Sequence, residues 1–216
     1  MRYLFEPAAI VRVPVEGEGD FPVGRVICVG RNYAEHIREM GGQDTGAEPV
    51  LFMKPARAVT PGPDVPYPPA TTDLHHEVEL VVAIGPDGVI ASGVGIDLTR
   101  RDLQAGAKQR GGPWETGKAF DNGAVLGALK PGLPPAEGAI RLSVNGAVKQ
   151  DGRLEQMIRT LPELLALIGK YFPLVAGDLV FTGTPSGVGP LLPGDTVEAS
   201  IDGLPPLSFR MTDRKA

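Results

Sequence analysis

The amino-acid sequence predicts a β-rich α+β fold. About ten short stretches have the alternating or β-branched pattern of strands, whereas only three have helical periodicity. The two kinds of element do not alternate regularly along the chain, as they would in a doubly wound or barrel α/β fold. The length of 216 residues suits one domain with a sizeable core, so we expect a single domain over residues 1–216.

The composition argues against nucleic acid and membranes as binding partners of the protein. The net charge is −5 and the sequence pI is about 5.3, which argues against a nucleic-acid partner. No apolar run approaches the roughly 18 residues that span a bilayer, so no membrane partner is expected. Glu6 and Pro7 argue against a signal peptide, and we expect a cytoplasmic protein. The single cysteine, Cys28, cannot form an intramolecular disulfide and is expected to be a small buried apolar residue.

The first 43 residues predict strands followed by one helix. One or two short strands precede residue 24, with a turn at Glu16–Gly19, and Arg25–Val29 is a buried strand. Asn32 is placed to cap a helix over Tyr33–Met40, and the glycines at 41 and 42 end it.

The middle of the chain predicts further strands. Val50–Lys54 is a short strand, and the proline-rich Pro61–Pro69 is a rigid loop. A long strand runs from Leu74 to Ile84. The Asp87-Gly88 turn signal then pairs it with a strand over Val89–Ile96 that delivers Asp97 at its end.

The C-terminal half predicts two helices and two hairpins. Thr99 and Asp102 have the spacing of a capping box for a helix through Gln109, whose one face carries Arg101, Gln104 and Lys108. The remaining elements, in chain order, are a loop or short helix over Trp114–Phe120 with Lys118, a hairpin around Asn145-Gly146, a helix Leu161–Tyr171 capped by Thr160 and Glu163, a strand Leu179–Thr182, a glycine-rich loop Gly183–Gly189 and a hairpin around Asp202-Gly203.

The strand from Leu74 carries the strongest chemical signal. Residues two apart on a strand point to one face, so the carboxylates of Glu77 and Glu79 lie side by side and repel each other. A hard divalent cation with oxygen ligands would compensate that repulsion, and Asp97 at the end of the next strand could add a third carboxylate. The alternative is a solvated face of an edge strand.

The three histidines suggest further chemistry. His36 and Glu39 lie three apart on the first helix, where a carboxylate can hold an imidazole in one tautomer and raise its basicity. No serine or cysteine nucleophile accompanies them, so the base would activate water. His75 and His76 could be zinc ligands, but neighbours on a strand face opposite ways, and the carboxylates favour a hard ion.

Cations and the glycine-rich loop allow two interpretations each. Lys54, Lys118 and Arg101 are surface cations by default, although each lysine lies beside a chain-breaking residue and apolar or aromatic neighbours. The loop Thr182–Gly189 lacks the ending of a phosphate-binding loop and is either a tight turn or a wall facing substrate.

Several stretches together resemble the fumarylacetoacetate hydrolase family, most closely its fumarylpyruvate and acylpyruvate hydrolases. They run in family order over residues 25–200. The stretches are Gly30–His36, Phe52–Pro55, Leu74–Leu80, Gly95–Gln104, Trp114–Phe120 and Gly177–Gly189. The chain departs from the family pattern in a shorter link over Gly85–Ser92 and in Gly123-Ala124-Val125, where relatives have Ser-Ala-Pro.

The resemblance implies a fold and a site. The fold would be mixed β-sheets rolled into a sandwich or barrel-like core with few helices, the C-terminal type of fold of fumarylacetoacetase, usually in a homodimer. The site would hold Mg2+ or Mn2+. The implied roles are metal ligation by Glu77, Glu79 and Asp97, water activation by His36 and Glu39, catalysis by Lys118, and substrate binding by Lys54, Arg101, Gln104 and Thr184.

The implied activity is metal-dependent hydrolysis of a carbon–carbon bond. The substrate would be a small 2-oxo acid with a 1,3-dicarbonyl group, an acylpyruvate such as fumarylpyruvate. Relatives also decarboxylate oxaloacetate or isomerise unsaturated keto-diacids, so both activities remain alternatives. A non-catalytic, metal-stabilised binding module is an alternative of another class.

Overall fold

Strands dominate the computed structural model, which describes residues 3–43, 46 and 48–214. The described residues form 18 strands, more than the ten expected, and four α-helices. The strands are β1 (Arg12–Pro14), β2 (Asp20–Pro22), β3 (Arg25–Gly30), β4 (Val50–Pro55), β5 (Val59–Thr60), β6 (Asp64–Pro66), β7 (Leu74–His76), β8 (Val78–Gly85), β9 (Gly88–Asp97), β10 (Thr99–Arg100), β11 (Ala124–Leu126), β12 (Lys130–Pro131), β13 (Ala139–Val144), β14 (Ala147–Arg153), β15 (Leu179–Phe181), β16 (Gly189–Leu191), β17 (Thr196–Ile201) and β18 (Leu207–Thr212). The helices are α1 (Ala34–Glu39), α2 (Arg101–Gln109), α3 (Glu115–Lys118) and α4 (Leu161–Tyr171).

Two larger sheets and two small ones organise these strands. The largest sheet has the order β4-β3-β15-β8-β9-β11-β5, with β12 also pairing with β9. The second has the order β14-β13-β17-β18-β6, and the small sheets are β10-β7-β16 and β1-β2. The largest sheet is mixed, because β15 runs parallel to β3 and antiparallel to β8.

The central strand β8 is buried on both faces. Leu80 and Val82 point into a core shared with Ile140 of the second sheet, whereas Val81 and Ala83 point into a separate cluster on the other face. All eight residues of β8 are buried. An edge strand with a solvated face is therefore excluded for this segment.

The largest sheet curls strongly. Strands β4 and β9 are four positions apart, which is about 19 Å in a flat sheet with its usual spacing of about 4.8 Å. Yet Lys54 Nζ of β4 lies 2.8 Å from Asp97 Oδ1 of β9. A lysine side chain could not span the distance between these two strands in a flat sheet. The rolled mixed-sheet fold expected from the sequence is confirmed.

Most turn and cap predictions are confirmed. Asn145 (φ 52°) and Gly146 (φ 79°) both have positive φ, as a tight hairpin turn between β13 and β14 requires. The turn at Asp87-Gly88 joins β8 to β9. At the start of α4, the Thr160 backbone N–H donates to Glu163 Oε2 at 2.8 Å, closing the predicted cap.

Two predicted helix caps are wrong because tertiary contacts claim the side chains. Asn32 does not cap α1; it lies buried and donates to Thr182 O at 2.9 Å and accepts from Arg159 N at 2.9 Å. Thr99 does not cap α2; it belongs to β10, and its hydroxyl accepts a hydrogen bond from Lys118 Nζ at 2.6 Å.

Two strand predictions need correction. The Pro61–Pro69 loop contains β6, which pairs in parallel with β18 at the edge of the second sheet, where a proline is tolerated. The single strand expected from Leu74 to Ile84 is interrupted at Glu77, so β7 pairs in one sheet and β8 in another.

The remaining expectations from composition concern burial and membranes. Cys28 is fully buried, and burial raises the pKa of its thiol well above the ordinary value, as expected of an inert core cysteine. None of the helices within the described ranges is long and apolar enough to cross a bilayer.

Candidate metal centre and active-site cavity

Three buried carboxylates meet at one end of β8 and β9. Glu77 lies at the break between β7 and β8, and its carbonyl accepts the Asp97 backbone N–H at 2.8 Å, which sets the two residues opposite each other. Glu79 follows on the same face of β8. One carboxylate oxygen from each of the three lies within 4.8 Å of the others, and each residue is at most 5% exposed.

Two of the carboxylates are paired with buried cations. Glu77 Oε2 lies 2.7 Å from Lys118 Nζ, and Glu77 Oε1 lies 2.5 Å from the Arg101 guanidinium. Burial alone would raise the pKa of Glu77, but attraction to Lys118 and then Arg101 outweighs burial and holds it well below the ordinary value. Asp97 Oδ2 lies 2.7 Å from Lys118 Nζ.

Glu79 has no such compensation. Among the described residues it forms no ion pair, and its Oε2 accepts only the Gly183 backbone N–H, at 2.7 Å. Burial, followed by repulsion from Asp97 and Glu77, raises its pKa well above the ordinary value. Asp97 Oδ1 is also buried without a hydrogen bond, since its 2.8 Å contact with Lys54 lies outside hydrogen-bond geometry.

These observations fit a divalent cation. Hard ions such as Mg2+ and Mn2+ take oxygen ligands, and a charge of +2 beside Glu79 would offset the repulsion within the triad. Carboxylate oxygens that lack hydrogen-bond donors are the groups that such an ion needs. The triad therefore offers the oxygen ligands that a divalent metal requires.

The cations around the triad are not surface residues. Lys118 and Lys54 are each 2% exposed, and Arg101 is 9% exposed. Burial would lower the pKa of Lys118, but attraction to Asp97 and then Glu77 outweighs burial, so its pKa is raised and the ammonium stays charged. Lys54 Nζ donates to the Leu98 carbonyl at 3.2 Å and to the Lys118 carbonyl, which anchors it behind Asp97.

His36 and Glu39 form the pair that the helical spacing predicted. His36 Nδ1 lies 3.1 Å from Glu39 Oε2, and the other oxygen of Glu39 accepts the Gly187 backbone N–H at 2.9 Å. The carboxylate therefore fixes the imidazole and ties α1 to the glycine-rich loop. Because Nδ1 faces Glu39, Nε2 is the nitrogen left for other partners.

His75 and His76 do not join the carboxylates. His75 Nε2 lies 2.9 Å from Asp73 Oδ1, and His76 Nδ1 lies 3.0 Å from Gln150 Oε1. In the described part of the chain, the one cluster close enough to hold a metal contains no histidine. The zinc interpretation is therefore not supported.

A cavity of about 200 Å³ opens onto the triad. Eight of the ten predicted site residues line it, namely His36, Glu77, Glu79, Asp97, Arg101, Gln104, Lys118 and Thr184. Glu39 lies behind His36, and Lys54 lies behind Asp97. The fold thus gathers residues as distant in the chain as His36 and Thr184 around one space.

Sequence reasoning missed several residues at the cavity. Arg31 and Trp114 also line it, as does Lys108, whose position on the Arg101 face of α2 was the only available signal. Lys108 Nζ lies 5.0 Å from the centre of the Trp114 ring. Thr99 holds Lys118, which no local pattern indicates.

Comparison with known proteins gives consistent matches. A family model described as "Fumarylacetoacetate (FAA) hydrolase C-terminal" matches residues 25–212. "Oxaloacetate tautomerase YcgM" of Escherichia coli is 43% identical over 203 residues, 85% of this chain and 91% of that protein. "Oxaloacetate tautomerase FAHD1, mitochondrial" of Mus musculus is 39% identical over 201 residues, 86% of this chain and 90% of that protein.

A solved structure is similar over the whole chain. It is the fumarylpyruvate hydrolase from Pseudomonas aeruginosa in complex with Mn2+ and pyruvate. Its TM-score is 0.96 at 42% identity, and the match covers 99% of this chain and 100% of that one.

The two glutamates should respond differently to neutralisation in metal-free buffer. Glu79→Gln removes an unpaired buried charge and should leave the free energy of unfolding unchanged or higher. Glu77→Gln leaves Arg101 without its ion pair and Lys118 with Asp97 alone, and it should cost about 3 kcal/mol or more, as when a buried ion pair loses one partner. Chemical denaturation in the presence of EDTA measures both.

With Mn2+ added, both variants should bind the ion at least about tenfold more weakly in calorimetry, since each loses a charged ligand. Glu18→Gln, an exposed carboxylate on the β1–β2 turn, is the matched control and should change neither quantity. Unaltered Mn2+ affinity in both Glu77→Gln and Glu79→Gln would remove the triad as the metal site.

Proposed function

The chain belongs to the fumarylacetoacetate hydrolase family, and within that family we propose that it hydrolyses the carbon–carbon bond of an acylpyruvate such as fumarylpyruvate. The products would be pyruvate and a carboxylic acid. One observation carries the proposal: the carboxylate triad and His36, which Glu39 orients from behind, line the same cavity. Cleavage of a 1,3-dicarbonyl compound needs an activated water and a stabilised enolate, and these two groups are suited to supply them.

Glu77, Glu79 and Asp97 would hold the metal, Mg2+ or Mn2+. When bound, the ion would supply Lewis-acid stabilisation of the pyruvate enolate that leaves. The similar Pseudomonas aeruginosa structure contains Mn2+ and pyruvate, which supports this choice of ion and product.

His36 would remove a proton from water at Nε2. Glu39 accepts the hydrogen bond from Nδ1–H, so the imidazole is held in the tautomer whose Nε2 is basic. Gly187 in turn fixes the second oxygen of Glu39, which limits the motion of the pair. The positively charged imidazole formed after proton transfer would be stabilised by the same carboxylate.

Lys118 would stabilise negative charge on substrate oxygen. Its ammonium is held protonated beside Glu77 and Asp97 and lines the cavity, so its positive charge is already in place when negative charge develops. Its three N–H groups bind Glu77, Asp97 and Thr99, so its effect on substrate oxygen would be that of a nearby charge. Arg101 and Gln104, joined by a 2.8 Å hydrogen bond, present donors on the same wall. Lys54 lies outside the cavity lining, and we propose that it supports Asp97 instead of binding substrate directly.

The cavity mouth favours a substrate with a second carboxylate. Arg31 and Lys108 line the cavity, and neither forms an ion pair within the described residues. Arg31 also has a φ of 66°, a costly backbone conformation for a residue other than glycine and one that recurs at functional sites. Two unpaired cations at one opening suit the distal carboxylate of fumarylpyruvate.

Tautomerisation of oxaloacetate is the second candidate. Two relatives that are 43% and 39% identical carry that name, and the reaction needs an enolate but no attack by water. Oxaloacetate decarboxylation and keto-diacid isomerisation make the same demand. A non-catalytic metal module is disfavoured, because a structural ion needs neither the His36–Glu39 pair nor a charged lysine aimed at the cavity.

Loss of the base should separate these reactions. His36→Ala should lower acylpyruvate hydrolysis by about 10²- to 10⁴-fold, the usual contribution of a general base, and lower oxaloacetate decarboxylation far less. Lys118→Met should damage both reactions, since it acts on the charge that they share. Both substrates are assayed with both variants at saturating Mg2+.

Metal affinity serves as the control for the His36→Ala variant, because His36 is not a proposed ligand and binding should persist. Equal losses of the two activities with metal still bound would rule out His36 as the water activator. Hydrolysis absent from the unaltered protein, with rapid oxaloacetate tautomerisation, would favour the second candidate.

Removal of the Lys108 charge at the cavity mouth should affect substrates with and without a second carboxylate differently. Lys108→Met keeps the length of the side chain and its packing on Trp114 but removes the charge. We expect the KM for fumarylpyruvate to rise about tenfold, the equivalent of a charge-assisted hydrogen bond, while the KM for acetylpyruvate, which lacks the distal carboxylate, changes little. Lys149→Met, on an exposed strand position, is the matched control. Equal effects on both substrates would reject the second carboxylate site.

The protein is also proposed to be a homodimer. The family resemblance suggests it, and an apolar groove lined by Phe21, Ile84 and Ile90, with Ile10 63% exposed beside it, is the kind of surface that mediates association. Light scattering at micromolar concentration should give twice the chain mass of 22.7 kDa. A mass of 22.7 kDa would reject the dimer.

A further inference from the structure

Gln150 is a fully buried polar residue to which the proposed mechanism gives no role. It lies in β14, outside the cavity lining, and it is 0% exposed. Its amide reaches the Thr184 hydroxyl at the cavity wall. We propose that Gln150 is a positioning residue that makes the Thr184 hydroxyl a hydrogen-bond donor to the substrate oxygen on which negative charge develops.

The orientation of the Gln150 amide is fixed by partners that have only one role. Val78 N–H can only donate, and it lies 3.1 Å from Oε1. The Pro185 carbonyl can only accept, and it lies 2.9 Å from Nε2. The oxygen must therefore face Val78 and the NH2 group must face Pro185.

The orientation of the Gln150 amide determines the direction of its hydrogen bond with the Thr184 hydroxyl. Gln150 Nε2 lies 2.8 Å from Thr184 Oγ1 and has only hydrogens to offer, so Oγ1 accepts. The hydroxyl hydrogen of Thr184 then has no acceptor among the described residues, although Thr184 is only 3% exposed and lines the cavity. A ligand oxygen in the cavity is the partner that the hydrogen lacks.

The glycine-rich loop that carries Thr184 is held flush against β14. A Cβ added at Gly187 would lie 2.1 Å from the Lys149 carbonyl oxygen, and one added at Gly152 would lie 2.6 Å from Pro185 Cβ. Only glycine permits such close contact, so the loop cannot shift toward β14. This packing keeps the distance between Gln150 and Thr184 short and makes the donor preorganised.

Gln150 also contacts the two residues on either side of Glu77, one of the proposed metal ligands. Its Oε1 accepts from His76 Nδ1 at 3.0 Å as well as from Val78 N–H, and these residues flank Glu77 at the break between β7 and β8. One amide thus sets both the Glu77 side and the Thr184 side of the cavity. All four of its hydrogen-bonding positions are used, which suits a residue that must not rotate.

This inference rests on the proposed function, since it assigns the donor to charge that develops in that reaction. A preorganised donor to an oxyanion is worth about 10²- to 10³-fold in kcat. A bond made to neutral substrate oxygen would instead change KM. The division between kcat and KM therefore separates a role in charge stabilisation from a role in simple binding.

The first test compares Thr184→Val, which keeps the shape and removes the hydroxyl, with Thr184→Ser, which keeps the hydroxyl. We expect kcat for acylpyruvate hydrolysis to fall about 100-fold in Thr184→Val and to stay within about fivefold in Thr184→Ser, with little change in KM. The Mn2+ affinity should match the parent in both. The melting temperature in EDTA should stay close to that of the parent in Thr184→Ser and fall in Thr184→Val, because one buried N–H of Gln150 loses its acceptor. Equal kcat values in the two variants would overturn the proposal.

The second test replaces the NH2 donor of Gln150 with an acceptor oxygen. Gln150→Glu keeps the acceptor for Val78 and His76 but removes the donor, so the Thr184 hydroxyl would turn to the new carboxylate. The loss of kcat should be comparable to that of Thr184→Val, and the double variant should be no slower than Thr184→Val alone. Multiplied losses in the double variant would show that Gln150 acts independently of Thr184 and would overturn the proposal.

The proposal stays testable if the Gln150→Glu variant does not fold or if the protein does not hydrolyse acylpyruvates. If Gln150→Glu does not fold, the comparison of Thr184→Val with Thr184→Ser still decides whether the hydroxyl is needed. If the unaltered protein hydrolyses no acylpyruvate, the proposed function fails, and the coupling is measured through the affinity of the Mn2+-loaded protein for oxalate, a dianion whose charged oxygens resemble those of the pyruvate enolate. The same lack of additivity is expected there, and additive losses of affinity would reject the role of Gln150.

Discussion

The structure depends on how three buried carboxylates are compensated. Isolated ionised carboxylates are too costly to bury, so the fold surrounds Glu77 and Asp97 with cations from elements that are distant in sequence. Lys118 bridges the two, and the curl of the largest sheet brings Lys54 to Asp97. Glu79 is left without a counter-ion, and this deficit is what suits the site to a divalent metal.

The cavity wall is built from backbone contacts as much as from side chains. Gly183 N–H binds Glu79, and Gly187 N–H binds Glu39, so the same loop contacts both the triad and the His36–Glu39 pair. The loop in turn rests on β14, where Gln150 contacts Thr184. The candidate metal ligands, candidate base and candidate donor are therefore held by one continuous set of hydrogen bonds, and a change in any part would affect the whole cavity.

Local patterns predicted most elements, and they failed where a side chain had a stronger distant partner. Thr160 and Glu163 cap α4 as their spacing suggests, because nothing else competes for them at the surface. Asn32 is equally well suited to cap a helix by its residue type and position, but it is buried between Thr182 and Arg159. Its amide forms hydrogen bonds with their backbone groups. Thr99 is likewise taken by Lys118. Local spacing carries no information about such partners, which lie up to 150 positions away.

The sequence by itself determined the strand-rich class, the hairpin turns and the shared face of Glu77 and Glu79, because alternation and turn chemistry act within a few residues. The tertiary structure alone decided the burial and the charged neighbours of that face. Curling of the sheet and burial on both sides of β8 turned default surface cations into buried counter-ions and brought Arg31 and Lys108 to the cavity mouth. The physical reason is that charge compensation and burial are set by neighbours in space, and only the folded sheet specifies which residues those are.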